Sequence, residues 1–446
     1  MTQPTASPDE EALATASERL ATLSRFGIRL GLERMAFLLD ALGHPERSCA
    51  VIHVGGTNGK GSVSAMIAAV LTAAGYRTAL YTSPHLHRVT ERFRLDGREL
   101  DPHTFAALLD DCWPLVERAQ AAGLDPPTEF EMLTAIAYLW ARESGAEILV
   151  QEVGLGGRLD STNLVEEPLL CVLTNIGLDH TDRLGSTIEA IAREKAGIVK
   201  PGRPVVTAFQ GEALQVLRER CAACGSPLLR LDERARYEGR PVWGADGAAE
   251  WRLDYEGEGW QLHEVRLALP GRHQLRNAAL ALLALETAAR EGGLRIPEPA
   301  VRRGLVEVRW PGRLELFTPA GGPRLLFDGA HNAHAAAELA ATLPESFRWR
   351  RLHAVLGMLA DKDVEGALPL LARHADRAFL APPPGARAAA PERLAAALRA
   401  AAHPSFAVFD DARAAFAAAM EGLGPQDLVL VAGSLYLVGA LRPWEV

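Results

Sequence analysis

Short apolar runs rich in β-branched residues recur along the first half of the chain. Each is followed by a turn rich in Gly, Asn or Asp and then by a stretch rich in Ala and Leu. This order is typical of βαβ units, in which successive strands are parallel and helices cover both faces of the sheet. The pattern predicts strands at Ala50–Val54, Thr78–Tyr81, Ile148–Val153, Cys171–Ile176 and Pro204–Ala208. It does not specify their order in the sheet.

The pattern changes in the middle of the chain. Between Tyr237 and Pro270, charged and apolar residues alternate between Gly turns, which predicts a small antiparallel meander. A helix is predicted over Gln274–Glu291. The strand and helix pattern restarts at Arg313, which predicts a second α/β domain, and we interpret the Pro- and Arg-rich segment Ile296–Pro311 as a linker.

Composition excludes several classes of protein. With 446 residues, 48% of them hydrophobic and 23% charged, the chain is long enough for two or three soluble domains. The net charge of −9 argues against a non-specific nucleic-acid binder. Neither a membrane span nor a secretory signal is visible, so we expect a cytoplasmic protein without nucleic-acid or membrane partners. A lone CxxC at Cys221 and Cys224 is interpreted as two thiols on one helical turn.

The strongest chemical signal is the segment AVIHVGGTNGKGSVSAMIAAVLTAAG, in which a strand passes through a Gly-rich turn into an apolar helix. Such a turn directs backbone N–H groups at a phosphate, Lys60 can reach the β and γ oxygens, and Ser62 can ligate Mg²⁺. The strict phosphate-loop pattern is not met, because Gly61 separates Lys60 from Ser62 and Val54 stands in place of the first Gly. A tightly packed turn without a ligand is the alternative, but a Lys at the helix start favours nucleotide binding.

Polar side chains follow two other predicted strands. Glu152 ends one buried strand, and Asp179 and His180 follow the next. Carboxyl ends of parallel strands share one edge of a sheet, where doubly wound folds bind ligands, so Glu152 is a candidate metal ligand. His180 is a candidate functional residue at the same edge, and the alternative interpretation is an ordinary surface histidine. Lys195 lies among Glu and Lys residues of a predicted helix, and its local sequence favours a solvated ion-pair face.

The chain resembles the folylpolyglutamate synthase and dihydrofolate synthase family, a branch of the Mur-type amide ligases. The resemblance runs in order from about Gly27 to Val446 and rests on the motifs HVGGTNGKGS, TSPHL, EVGLGGRLDSTN, GLDH, EKAGI, WPGRLE, FDGAHN and LADKD. The family's phosphate loop carries the same extra Gly between Lys and Ser. One departure is Ala333, where the family usually has Pro, and it concerns loop stiffness more than chemistry.

The resemblance implies two α/β domains with the active site between them. Residues 1–308 would form a Mur-ligase-type ATP-binding domain, of P-loop type with a mostly parallel sheet and the small meander. Residues 309–446 would form a Rossmann-like ligase domain. The residues implied to contact ATP are Thr57, Asn58, Gly59, Lys60, Gly61, Ser62, Asn277, Arg313, Asp328 and His331.

The resemblance also implies two Mg²⁺ ions. Ser62 and Glu152 would hold the ion that bridges the phosphates, and Glu152, His180 and Lys195 the second. Lys195 would carry CO₂ as a carbamate, which replaces a repelled ammonium by the anionic oxygens that a hard cation prefers.

The implied reaction is an ADP-forming amide ligation. The γ-phosphoryl of ATP passes to a carboxylate of dihydropteroate or of a reduced folate, and the amino group of L-glutamate then displaces phosphate from the acyl phosphate. The residues implied to assist catalysis are Lys60, Lys195, His180 and Arg313, and those implied to contact the folate are Ser83, Pro84, His85 and Phe130. One chain does not reveal which acceptor is used; we favour both.

Two alternatives belong to other functional classes. A peptidoglycan Mur ligase normally carries a domain for its UDP-sugar before the phosphate loop, and only 54 residues precede Gly55. A nucleotide-binding switch protein would have no need for Glu152, His180 and Lys195 beside the loop. Family members are usually monomers, so a monomer is expected.

Overall fold

The computed structural model describes residues 8–24 and 29–443. Residues 1–7 lie outside the described residues; they belong to the N-terminal segment in which no export signal is visible. Gly27, where the family resemblance begins, also lies outside them. The chain divides into two compact units. One contains the chain up to Arg236 together with Glu256–Gln261 and Asn277–Glu307, and the other contains Tyr237–Tyr255, Leu262–Arg276 and Val308 onwards. The domain boundary expected after residue 308 stays a prediction.

Strands and helices alternate over most of the chain. The strands are β1 Ala50–Gly55, β2 Thr78–Tyr81, β3 Phe93–Leu95, β4 Arg98–Glu99, β5 Ile148–Glu152, β6 Leu170–Leu173, β7 Val205–Thr207, β8 Leu228–Arg230, β9 Arg236–Trp243, β10 Ala249–Glu256, β11 Gln261–Leu267, β12 Glu315–Phe317, β13 Arg324–Phe327, β14 Leu352–Leu356, β15 Arg377–Leu380, β16 Phe406–Val408 and β17 Leu428–Ala432. The helices are α1 Pro8–Ser24, α2 Glu33–Ala41, α3 Lys60–Ala73, α4 Pro102–Cys112, α5 Pro114–Ala121, α6 Glu129–Glu143, α7 Thr181–Leu184, α8 Ile188–Ala196, α9 Gly211–Cys224, α10 Leu231–Arg234, α11 Arg272–Gly292, α12 Glu298–Glu307, α13 Ala333–Ser346, α14 Val364–Leu371, α15 Pro391–Ala400, α16 Ala412–Met420 and α17 Leu435–Leu441.

The sheet of the first unit has the order β4-β3-β2-β5-β1-β6-β7-β8. β1 lies at its centre, parallel to β5 and β6, and the antiparallel pairs are β2 with β3 and β3 with β4. All five strands predicted in this half of the chain are present, with bounds shifted by up to three residues. Five of the six residues of β1 and all residues of β5 and β6 are buried. Burial on both faces explains why these strands appear as unbroken apolar runs in the sequence.

The interpretation of Ile296–Pro311 as a linker is wrong for most of its length. Glu298–Glu307 forms helix α12, which packs on α3. Gly304 makes this packing close, because a Cβ added there would lie 2.6 Å from the backbone of Val70. The proline and arginine residues of the segment resemble the composition of a linker, but the apolar residues of α12 are buried.

The second unit confirms the predicted return of the α/β pattern. Its sheet has the order β12-β13-β17-β14-β15-β16, in which only β12 is antiparallel. The predicted meander is present as the three-stranded sheet β11-β10-β9. The fold class is therefore the predicted one, two α/β sheets and a small antiparallel meander. No helix among the described residues is long and apolar enough to cross a membrane.

Candidate nucleotide site

The Gly-rich loop between β1 and α3 is held by residues that follow β6. The backbone N–H of Thr57 donates to the carbonyl of Asn175 at 2.9 Å, and the N–H of Asn58 donates to the Asn175 side chain, also at 2.9 Å. The hydroxyl of Thr174 donates to the carbonyl of Asn58 at 2.7 Å. The loop is thus fixed by residues that directly follow the neighbouring strand.

Two glycines of the loop have positive φ and close neighbours. Gly56 (φ 137°) lies against the Thr174 side chain, which an added Cβ would overlap. Gly59 (φ 82°) lies against Asn277 of α11, whose Oδ1 would be 2.7 Å from a Cβ. These conformations and contacts require glycine, and they place the predicted nucleotide residue Asn277 beside the loop.

Helix α3 begins at the end of this loop. Gly59 is its N-cap and supplies no capping side chain, and the first turn contains no acidic residue. Lys60 and Gly61 therefore lie at a helix N-terminus, which carries a partial positive charge, and the nearby Ser62 is buried. The Lys60 Nζ folds back to donate to the carbonyl of Thr57 at 3.2 Å. This arrangement suits an anion such as phosphate.

Glu152, the last residue of β5, is buried beside Lys60. Its Oε1 lies 3.7 Å from the Lys60 Nζ, and the backbone N–H of Ser83 donates to its Oε2 at 3.4 Å. This ion pair cannot be seen in the sequence, because the partners are far apart along the chain. Glu152 is 5% exposed, so its carboxylate has little access to water at this edge of the sheet.

Asp179 and His180 follow β6 at the same edge. His180 has φ 51° and is the residue before α7, with its side chain 38% exposed. Its Nε2 lies 3.9 Å from Asp179 Oδ1, and its backbone N–H donates to that oxygen at 2.9 Å. Within residues 8–24 and 29–443, no group of three or more His, Cys, Asp or Glu side chains is arranged to hold a metal. A metal site here requires the hydroxyl and lysine ligands as well.

Lys195 is buried, which corrects the solvated ion-pair face that its local sequence favours. The side chain reaches from α8 to the loop, where Nζ donates to the carbonyl of Gly56 at 2.8 Å. Burial, reinforced by the nearby charge of Lys60, lowers the pKa of Lys195 to about 7, against the opposing effect of Asp179 and Asp160. The amine is therefore partly neutral near neutral pH.

The predicted folate residues lie on two elements next to Glu152. Ser83 and Pro84 follow β2 and are joined by a cis peptide bond. His85 Nδ1 accepts from the Arg92 guanidinium at 2.9 Å, which places its proton on Nε2, and burial together with Arg92 lowers the pKa of His85 to about 4. The ring of Phe130, on α6, lies against Gly154, where a Cβ would collide with it.

Two predicted nucleotide residues of the second unit, Asp328 and His331, follow β13, and Arg313 precedes β12. Asp328 is buried and accepts from the N–H groups of Leu314 and Ala330, both at 2.9 Å. Burial raises the pKa of Asp328, and the charge of Arg313 opposes this rise. His331 donates from Nδ1 to the carbonyl of Gly329 at 2.8 Å.

Comparisons with known proteins match both units. A model of the Mur ligase middle domain matches residues 128–285, and a model described as Mur ligase, glutamate ligase domain, matches residues 312–435. The chain is 38% identical over 423 residues to the dihydrofolate synthase/folylpolyglutamate synthase of Bacillus subtilis, covering 94% of this chain and 95% of that protein. The chain belongs to the dihydrofolate synthase/folylpolyglutamate synthase family. This family assignment confirms the resemblance inferred from the motifs.

Two solved structures of the family share the fold. The Mycobacterium tuberculosis folylpolyglutamate synthase complexed with ADP and AMPPCP superposes with a TM-score of 0.87 at 32% identity, covering 97% of this chain and 98% of that chain. Escherichia coli FolC in complex with DHPP and ADP gives a TM-score of 0.82 at 34% identity, with 96% of both chains covered. Membership identifies the chain as an ATP-dependent, ADP-forming glutamate ligase. The peptidoglycan ligase and switch-protein alternatives are not favoured.

Three residues that contribute to the site were not predicted from the sequence. Thr174 and Asn175 hold the loop, and Asp160 lies close enough to Lys195 to influence its pKa. The signal for the first two was present, since polar residues directly after a buried strand lie at the edge where ligands bind. Nothing local to Asp160 indicates its burial.

Proposed function

We propose that this chain adds L-glutamate both to dihydropteroate and to the glutamate tail of reduced folates. The observation that carries this proposal is the loop before α3, where Lys60 and the buried Glu152 lie 3.7 Å apart at the edge of the sheet. Several relatives of the chain bear both activities in their names. The Bacillus subtilis and Escherichia coli relatives are each named dihydrofolate synthase/folylpolyglutamate synthase, and the second is 35% identical over 96% of this chain.

In the proposed reaction the γ-phosphoryl group of ATP is transferred to an acceptor carboxylate. An acyl phosphate and ADP form; the glutamate amine then attacks the acyl carbon, an amide forms, and inorganic phosphate leaves with the carboxylate oxygen. Backbone N–H groups of Gly59 to Ser62 orient the phosphates, and Lys60 and Arg313 neutralise the charge that develops during transfer. Positioning and electrostatic stabilisation account for most of the rate in this type of reaction.

The residues at the sheet edge fit Mg²⁺. The Ser62 hydroxyl and the Glu152 carboxylate are oxygen donors of the kind that this ion prefers, and both side chains are buried at the loop. In the proposed site these two residues hold one ion, and Glu152, His180 and Lys195 hold a second. When bound, Mg²⁺ would withdraw charge from the β and γ phosphate oxygens.

Lys195 fits this second set only after modification, because an ammonium repels a cation. With its pKa lowered to about 7, the neutral amine is available to attack CO₂; a C–N bond forms, one proton is released, and the carbamate supplies two anionic oxygens. The proposal therefore includes carboxylation of Lys195. The bond from Nζ to the Gly56 carbonyl at 2.8 Å orients the amine towards the loop.

The remaining assignments rest on the same proposal. Thr57 and Asn58 line the phosphates; Asn277, Asp328 and His331 contact the nucleotide; and Ser83, Pro84, His85 and Phe130 contact the folate. We also propose a cytoplasmic monomer without nucleic-acid or membrane partners, consisting of an ATP-binding domain over residues 1–308 and a ligase domain over residues 309–446.

The test is release of ADP in the presence of Mg²⁺ and L-glutamate, with 7,8-dihydropteroate or tetrahydrofolate as acceptor. Glutamate-dependent turnover with both acceptors is expected. Turnover with one acceptor would restrict the chain to that single activity. Absence of glutamate-dependent turnover with either acceptor would overturn the folate assignment.

A further inference from the structure

A chain of hydrogen bonds lies beneath the phosphate loop. It begins at His53 of β1, which is completely buried, and its Nε2 lies 2.9 Å from the hydroxyl of Thr162. That hydroxyl lies 2.5 Å from Oδ1 of Asp160, which is also buried. Gln151 of β5 and Tyr138 of α6 both donate to the carbonyl of Thr162, at 3.0 and 3.1 Å. Thr162 is therefore fixed from three secondary-structure elements.

The direction of these bonds follows from the donors around Asp160. Its Oδ1 accepts from the Thr162 N–H at 3.0 Å, and its Oδ2 accepts from the Leu155 N–H at 2.7 Å. With N–H donors on both oxygens, the carboxylate is an acceptor, and the Thr162 hydroxyl donates its proton to it. The same hydroxyl must then accept from His53, so His53 carries its proton on Nε2.

The environment of His53 agrees with this tautomer. Its Nδ1 is buried and has no hydrogen-bond partner within the described ranges. A buried acceptor without a partner is tolerated better than a buried N–H without one. Burial also lowers the pKa of His53 to about 3, so the ring is neutral at neutral pH.

Asp160 connects this chain to the site. Its bond to the Leu155 N–H holds the turn that directly follows Glu152. Gly154 in this turn is also the surface on which the Phe130 ring lies. Displacement of the turn would move the Glu152 carboxylate away from Lys60 and would remove the contact surface of Phe130.

We propose that His53, Thr162 and Asp160 form a directional hydrogen-bond relay, from the His53 Nε2–H to the Thr162 hydroxyl to the Asp160 carboxylate, that positions the turn after Glu152. None of the three touches the reacting groups, so they are positioning residues. Their effect on catalysis rests on the proposed role of Glu152 as a Mg²⁺ ligand. Outer residues that orient a metal ligand typically change metal affinity or activity by about 10- to 100-fold when they are replaced.

The experiment compares two variants that break the relay with two that keep it. Thr162→Val and His53→Leu each remove one link, whereas Thr162→Ser keeps the hydroxyl and His53→Gln keeps a donor near the position of Nε2. Thr207→Val is the matched control, since Thr207 is completely buried and donates to the Leu173 carbonyl at 3.0 Å but lies outside the relay.

Two readouts need no activity. Hydrogen–deuterium exchange of a peptide containing Leu155 is expected to be about tenfold faster in Thr162→Val and His53→Leu, near wild type in Thr162→Ser and His53→Gln, and unchanged in Thr207→Val. Nitrogen-15 spectra of histidine-labelled protein are expected to show that His53 is the Nε2–H tautomer at neutral pH. The signal of His53 is assigned by its loss in His53→Gln. In the assay, the Mg²⁺ concentration that gives half the maximal rate is expected to rise about tenfold in the two breaking variants.

The relay is overturned if Thr162→Val and His53→Leu only lose thermal stability, to the same extent as Thr207→Val, while hydrogen–deuterium exchange at Leu155 stays at the wild-type rate. An Nδ1–H tautomer or a protonated ring at neutral pH also overturns it. Failure of the wild-type chain to release ADP with glutamate would reject the proposed function alone, because exchange and tautomer are measured without turnover.

Discussion

The turns before α3 and α13 each follow a buried strand and lead into a helix of 14 residues. The first begins α3 with Gly59, which supplies no capping side chain. The second begins α13 with Asn332, whose Oδ1 accepts from the Ala335 N–H at 2.9 Å. A helix N-terminus that is capped by its own side chain has used part of its capacity to bind an anion, and one that is not capped retains it.

The two turns are also held in different ways. The turn before α3 is fixed by side chains of other elements, namely Thr174, Asn175 and Lys195. The turn before α13 is held by the Asp328 side chain, which bonds to Ala330 within the same turn and to Leu314 nearby. It is also held by a backbone hydrogen bond from Gly433, the residue after β17, to the carbonyl of Ala330. The comparison teaches that the same strand-turn-helix unit becomes a candidate phosphate site where the N-cap residue leaves the helix N-terminus without a side-chain cap.

The largest effect is expected from Lys60→Ala. Removal of the Lys60 ammonium from the N-terminus of α3 leaves the charge that develops on the phosphoryl group unneutralised. The rate of glutamate-dependent ADP release should therefore fall by about 100- to 1000-fold or more. Arg193→Ala is the control, because Arg193 pairs with Glu189 on an exposed helix face of the same unit and its loss should leave turnover unchanged. Near-normal turnover of Lys60→Ala would remove the loop from the mechanism.

Replacement of Gly56 tests whether the support from neighbouring strands is needed. In Gly56→Ala the methyl group would overlap Thr174 at a φ of 137°, so we expect the protein to lose about 3 kcal/mol of stability or to lose nucleotide binding. Gly202→Ala has a φ of 69° with nothing within 4 Å and should cost only about 1 kcal/mol. Denaturant unfolding and ADP titration measure both variants. Equal effects of the two substitutions would show that the contact with Thr174 is unimportant.

The pH dependence of stability tests the buried charge of Lys195. Its pKa is lowered to about 7 from an ordinary value near 10.5, so between these values the unfolded chain binds more protons than the folded one. The free energy of unfolding should therefore rise with pH in this window, by about 2 kcal/mol between pH 7 and 9 from this group.

Lys195→Met supplies the reference for this measurement. In buffers free of CO₂, the difference in unfolding free energy between wild type and Lys195→Met should change by about 2 kcal/mol between pH 7 and pH 9. A difference that does not depend on pH would mean that Lys195 keeps an ordinary pKa.

The smallest effect is expected at the capped helix end. Asn332→Ala removes the side chain that caps α13 and should lower the free energy of unfolding by about 1 kcal/mol, whereas Asn332→Ser should restore most of it. Denaturant unfolding measures both variants. A loss of stability in Asn332→Ala that Asn332→Ser does not recover would show that capping is not its role.

Local patterns are sufficient to nominate a candidate site residue wherever that residue and its neighbours in the sequence contribute to one structural unit. The phosphate loop and Lys60 were predicted in this way, because a strand, a Gly-rich turn and a helix are consecutive. Glu152 was predicted because a carboxylate at the end of an apolar run is unusual. The linker was mispredicted because packing of α12 on α3 depends on Gly304 and Val70, which are distant in sequence.

The sequence by itself determined the alternation of strands and helices, the family, and the residues that can perform the chemistry, because these depend on residue type, order and spacing. The tertiary structure decided the strand order, the pairing of Lys60 with Glu152, the burial of Lys195, the contact of Asn277 with Gly59 and the hydrogen bonds from His53 to Asp160. Each of these joins residues that are separated along the chain. These contacts, and the pKa of a buried group such as Lys195, depend on the surrounding side chains and on the exclusion of water. Both are determined only when the sheet and the helices pack together.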